Sequence, residues 1–86
     1  MAPVSADPRP DWVLARRAAI GHHIACLRAA RGMSIDDLAE AAGVDRKTVI
    51  RAEGATVSTG LDLLLMIAAG LGVSAGQLLD GAPPRT

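Results

Sequence analysis

Aromatic side chains are almost missing from this sequence. It has one tryptophan, Trp12, and neither phenylalanine nor tyrosine. The interior must then be built from Leu, Ile, Val, Met and Ala. Cysteine is nearly missing too: Cys26 stands alone, which excludes an internal disulfide, and no Cys/His set has zinc spacing. Charge of one sign is missing as well. Nine basic and nine acidic residues sum to zero, which argues against a basic, nonspecific nucleic-acid coat. It does not exclude DNA binding, because the local distribution of charge matters more than its sum. The apolar stretch 61–69 is about half as long as a membrane span needs. The first ten residues hold three prolines and no apolar core of a secretory leader. These absences together predict a protein of the reducing cytoplasm.

What remains is a chain of 86 residues and 8.8 kDa, half of it hydrophobic, with a mean hydropathy of +0.29. That describes one small domain that folds. A domain of this size is marginally stable unless a partner or a second subunit helps. It is too short for a large enzyme with its own cofactor domain, and long enough for a binding module.

The predicted organisation is an N-terminal arm over 1–10, broken by Pro3, Pro8 and Pro10, a domain over 11–80, and a loose tail over 81–86. No run alternates with a period of two, so the domain is predicted to be all helical. The first helix starts near Asp11 or Trp12, with Asp11 as its candidate N-cap, and runs to about Arg31 before Gly32. Val13, Ile20, Ile24 and Leu27 form its apolar stripe, and Arg16, Arg17, His22 and His23 sit largely off it. Three later starts share a pattern of apolar residue, capping residue, three residues and apolar residue. They are Met33-Ser34 with Leu38, Val44-Asp45 with Val49, and Val73-Ser74 with Leu78. Each polar side chain can accept from a free first-turn N–H, and each apolar pair can staple the turn. Gln77 completes a capping box in the third. These signals predict helices over 35–42, 46–53 and 75–80, and a further helix over about 60–70 starts after Ser58 or Thr59 and ends near Gly72.

Helices 35–42 and 46–53 are joined by only a few residues, which forces a steep crossing, the helix-turn-helix geometry. The crossing needs a small side chain at the contact, supplied by Ala39, and a turn residue tolerant of positive φ, supplied by Gly43. Leu38, Val44, Val49 and Ala52 then face inward. Arg46, Lys47, Ile50 and Arg51 face outward.

The run RGMSIDDLAEAAGVDRKTVIRAE resembles the helix-turn-helix of the lambda-repressor/Cro (Xre) family of bacterial and phage regulators. The resemblance covers about 17–79, including LDLLLMIAAGLGVSAGQLL. It implies an all-α, five-helix, lambda-repressor-like DNA-binding domain, here with an N-terminally extended first helix. It also implies that the second helix of the motif enters the major groove. Arg46, Lys47 and Arg51 fall where family members touch DNA, mostly at base edges. An arginine fork matches the two acceptors of guanine, and Lys47 can read the same edge or hold a phosphate. Ser34, Arg31, Ser58 and Thr59 are the candidate backbone contacts, with the free N–H groups at the start of helix 35–42 favouring a phosphate. For Thr48 two roles are open, a phosphate contact or help in starting its helix. The resemblance also implies a structural ion pair between Arg28 and Glu53.

The sequence departs from the family in two places. Ile35 stands where the family commonly has a phosphate-holding Gln, and the loop 54–59 carries no charge where the family's is usually basic. Phosphate binding should be correspondingly weak, with Arg9, Arg31 and amides near 58–60 supplying what remains.

The blander readings concern the other residues. Cys26 is expected to be a small buried hydrophobe rather than half of a metal pair with His22, because no further ligands converge. Trp12 is expected to cap the core, and Asp36, Asp37 and Glu40 to favour a helix dipole. Segment 61–68 is apolar nearly all round, more than one buried face requires, which points to an interface. Leu63, Met66 and Trp12 are the candidate residues of a homodimer contact, since this motif commonly reads two half-sites.

The function expected is a sequence-specific regulator of transcription, a dimeric repressor bound to double-stranded DNA in the cytoplasm, at the nucleoid when so bound. It needs no cofactor, metal or membrane. The rival is an interaction module, antitoxin-like or scaffolding, whose main partner is another protein; zero net charge, Ile35 and the uncharged loop favour it. No nucleophile–base pair or phosphate-cradling Gly loop suggests an enzyme.

Overall fold

The computed structural model describes residues 8–56 and 58–80. The predicted tail over 81–86 and most of the predicted arm over 1–10 lie outside them. Five helices follow in order: α1 (Asp11–Ala30), α2 (Ile35–Ala42), α3 (Arg46–Gly54), α4 (Leu61–Leu71) and α5 (Ala75–Asp80). Among the described residues there is no strand, and no helix is long and apolar enough to cross a membrane.

The three shared start signals act as read. Asp37 N–H donates to Ser34 Oγ at 2.9 Å, Thr48 N–H to Asp45 Oδ1 at 2.8 Å, and Gln77 N–H to Ser74 Oγ at 3.0 Å. Gln77 Oε1 accepts from Ser74 N–H at 2.9 Å and closes the box. A second box was not foreseen: Asp37 Oδ2 accepts from Ser34 N–H at 2.9 Å, so a carboxylate at the third helical position serves as well as Glu or Gln. The apolar partners Leu38, Val49 and Leu78 are fully buried, and Met33, Val44 and Val73 pack against the core beside them. Gly43 ends α2 at φ 74°, the left-handed backbone that the short turn requires.

Two helix caps differ from the expectation. Pro10, not Asp11, is the N-cap of α1, and Asp11 lies inside the first turn with no capping bond. Proline at the boundary presets φ and Asp11 still favours the dipole, so the helix starts without a side-chain cap. Gly60, not Ser58 or Thr59, caps α4, again without a side-chain bond. Burial of one apolar face drives α4 to form there.

The core is aliphatic throughout. Ile24, Leu38, Val49, Ile67, Leu71 and Leu78 are its large members, with Ala39, Ala42, Ala52 and Ala68 between them. Helix α2 lies mainly against α4, and α3 mainly against α1. Both contacts depend on a glycine. A Cβ at Gly21 of α1 would stand 2.6 Å from the Ala52 carbonyl oxygen and 2.7 Å from that of Glu53. A Cβ at Gly70 of α4 would stand 2.9 Å from the Ala42 nitrogen. Each helix of the motif therefore rests backbone-first on a glycine of another helix.

Candidate nucleic-acid interface

The inner side of α3 is fixed at three levels. Val49 and Ala52 are buried, Gly21 admits its carbonyl end, and Glu53 reaches back to α1. Arg28 Nε donates to Glu53 Oε2 at 2.6 Å and Nη2 to Oε1 at 3.1 Å, a bidentate fork with little exposure on either side chain. Arg28 Nη1 also donates to the Met33 carbonyl at 2.9 Å. One guanidinium thus joins α1, the approach to α2 and the end of α3. The hydrogen bond to Glu53 holds the Arg28 pKa above its ordinary value.

With that side taken, Arg46, Lys47, Ile50 and Arg51 face solvent. Arg46 is not idle there: its Nη1 donates to Asp36 Oδ1 of α2 at 3.0 Å, with both side chains well exposed. Asp36 was read only as a dipole partner. The signal that it sits opposite Arg46 lies in the crossing of the two helices, not in either helix alone.

Thr48 Oγ1 donates to Asp45 Oδ1 at 2.7 Å, and Thr48 N–H donates to the same oxygen. The hydroxyl proton is committed, and a phosphate, which only accepts, has nothing to take from it. Of the two roles open for Thr48, the geometry favours the start of α3. The same two bonds, with smaller help from Arg51 and Lys47, hold the Asp45 carboxyl below the usual carboxylate range.

The start of α2 is less open to an anion than expected. The amides of Ser34 and Asp37 serve the capping box, and that box lowers the Asp37 pKa through the Ser34 backbone bond first and its hydroxyl second. Asp36 and Asp37 bring negative charge to the turn where a phosphate was expected. Ser34 itself is still exposed, with its hydroxyl oxygen accepting from Asp37 N–H. Arg31, the C-cap of α1, is exposed, as is Ser58, and Thr59 is half-buried.

The other candidates divide. Trp12 does not cap the core; it is 72% exposed. Cys26 is exposed rather than buried, with Sγ 3.4 Å from His22 Nε2. It lies on the outer side of α1, opposite the buried Ile24. Among the described residues no three His, Cys, Asp or Glu side chains cluster as metal ligands. On α4 the surplus apolar surface is real, but its members shift. Leu63 is half-buried, whereas Leu61, Leu65 and Met66 are exposed. Trp12 shares a hollow with Leu64, two positions from Met66 and on the other side of α4. Trp12 and Met66 therefore belong to different surfaces.

A helix locked on its inner side and basic on its outer side, crossing a capped partner through a glycine turn, is the arrangement of a DNA reader. The model of the Helix-turn-helix family matches residues 25–78. The chain belongs to that family. Within it the lambda-repressor/Cro (Xre) type is the one shown, a group of DNA-binding regulators. Three solved helix-turn-helix structures are similar. The restriction-modification controller protein C.AhdI from Aeromonas hydrophila is 30% identical, with a TM-score of 0.72 over 74% of this chain and 97% of that one. The clp gene regulator ClgR from C. glutamicum is 28% identical, with a TM-score of 0.71 over 78% and 87%. The hypothetical transcription factor NHTF from Neisseria is 31% identical, with a TM-score of 0.71 over 90% and 86%. No curated protein matches the sequence.

Proposed function

We propose that this helix-turn-helix protein is a homodimeric repressor of transcription that reads an operator with α3 in the major groove. The observation that supports it best is the fixed orientation of α3. Gly21 and the Arg28–Glu53 fork leave Lys47 and Arg51 outward, and Arg46 beside them. Lys47 and Arg51 read base edges. Arg46 joins them when DNA displaces Asp36, an exposed pair of low cost to break. Ser34, Arg31, Ser58 and Thr59 touch the backbone. The protein acts in the cytoplasm, at the nucleoid when bound.

The exposed Leu61, Leu65 and Met66 of α4 and Leu79 of α5 are the apolar surface that a second copy covers, replacing the Leu63, Met66 and Trp12 set. Two copies then present two α3 helices to half-sites about one DNA turn apart. The test is fluorescence anisotropy on the DNA upstream of the protein's own gene, against scrambled competitor. Sequence-preferring binding with two half-sites is the expected result. Equal binding to the competitor, even at low salt, would reject operator reading and turn the α4 surface over to a different protein partner.

A further inference from the structure

Beyond the DNA face, the extended part of α1 roofs a hollow of about 270 Å³. Trp12, Val13 and Ile20 supply one wall and Leu64 of α4 another. The loop residues Ser58 and Thr59 close a third side. Every charged residue lining the hollow is an arginine: Arg9, Arg16 and Arg17. Arg16 is exposed, and Nη2 reaches only the neutral Leu79 carbonyl, at 3.4 Å. Among the described residues no carboxylate pairs with it.

We propose that this hollow binds a small amphipathic carboxylate, with its apolar body under α1 and its anionic head on Arg16. Size and charge select this occupant. The volume suits a body of about ten non-hydrogen atoms, near the lower end of small-molecule sites. It is too small for a partner helix about 10 Å across. Apolar walls with a cationic rim favour one negative charge at one end, and a neutral or cationic head gains nothing there. The hollow borders the DNA face, because the proposed function sets Ser58 and Thr59 against the DNA backbone. An occupied hollow displaces that loop and weakens operator binding by about fivefold or more. This consequence rests on the operator reading; the binding site itself does not.

Trp12 is the sole tryptophan and lines the hollow, so its emission reports occupancy with no label. Octanoate, 1-octanol and octylammonium, one chain with three heads, are titrated into the full chain, and calorimetry counts the sites. Octanoate is expected to shift the emission to shorter wavelength and saturate at one per chain, with a Kd of about 0.1–1 mM. Arg16→Gln should weaken octanoate about tenfold and leave 1-octanol unchanged. Val13→Phe, checked for helicity, should fill the hollow and abolish both. Equal binding of octanoate and 1-octanol, no effect of Arg16→Gln, or no saturable shift at all would overturn the proposal. So would emission that changes with protein concentration alone, which would give the hollow to a second copy. A saturable octanoate signal with unchanged operator affinity would overturn only the coupling, whereas loss of operator binding without ligand would leave the site standing.

Discussion

Helices α2 and α3 are built alike and serve opposite ends. Each is eight or nine residues long, starts on an oxygen cap, leaves through a left-handed residue and rests on a glycine of another helix. Their charges differ. Helix α2 carries Asp36, Asp37 and Glu40 and no base, whereas α3 shows Arg46, Lys47 and Arg51 outward and turns Glu53 inward. A net charge of zero conceals this division. It teaches that α2 positions and partly masks its neighbour, while α3 carries the outward basic face.

The largest effect should come from Lys47→Ala with Arg51→Ala. Two base-reading side chains at about 1–3 kcal/mol each should remove at least about 30-fold of operator affinity by anisotropy. The thermal midpoint should stay put, because neither side chain is buried. Next comes the seat of α3. Gly21→Ala forces a methyl against two carbonyl oxygens and should cost about 3 kcal/mol in urea unfolding. Gly70→Ala, under α2, should cost less, about 2 kcal/mol, because its nearest approach is wider. The reverse order would make α2, not α3, the more closely seated of the two. Glu53→Gln follows, at about 2 kcal/mol, since the fork it loses is mostly but not wholly buried.

Charge masking predicts a smaller change of opposite sign. Asp36→Asn should raise operator affinity about threefold by freeing Arg46; a decrease would show that the pair holds Arg46 in its reading position instead. The smallest effect should be the acid response of the caps. The Asp37 and Asp45 pKa values are lowered by folding. Their contribution is therefore full above the ordinary carboxylate pKa and fades as pH falls through the lowered values. Asp45→Asn should flatten that acid limb in circular dichroism while the midpoint at neutral pH changes little.

The helices of the motif were legible because their signals are local. A cap, a staple and a glycine lie within a few residues of one another, and backbone N–H groups need partners wherever a helix begins. The helices without a side-chain cap were placed within a residue or so, but their caps were not: Asp11 was read as the cap where Pro10 serves, and Ser58 or Thr59 where Gly60 does. The Arg28–Glu53 pair came from the family resemblance, since no rule of spacing links residues on different helices. Gly21 and Gly70 were passed over for the same reason. A glycine inside a helix reads as a weak spot until the backbone above it is seen. Cys26 and Trp12 were put inside because their types are usually buried, and the helical phase that places them outside depends on which stripe of α1 wins the core.

The residue just beyond α3 is strained. Ala55 caps that helix at φ 55°, among the described residues the one non-glycine with positive φ. Such a conformation disfavours alanine by about 1 kcal/mol. The strain sits at the boundary between the seated helix and the loop bearing Ser58 and Thr59, so local opening should start there. Amide exchange with heavy water should then proceed fastest along α3 at its exit and slowest near Val49. Such a helix is anchored at its centre and yields at its trailing end; under the proposed function, that is where a bound duplex would draw the loop into register.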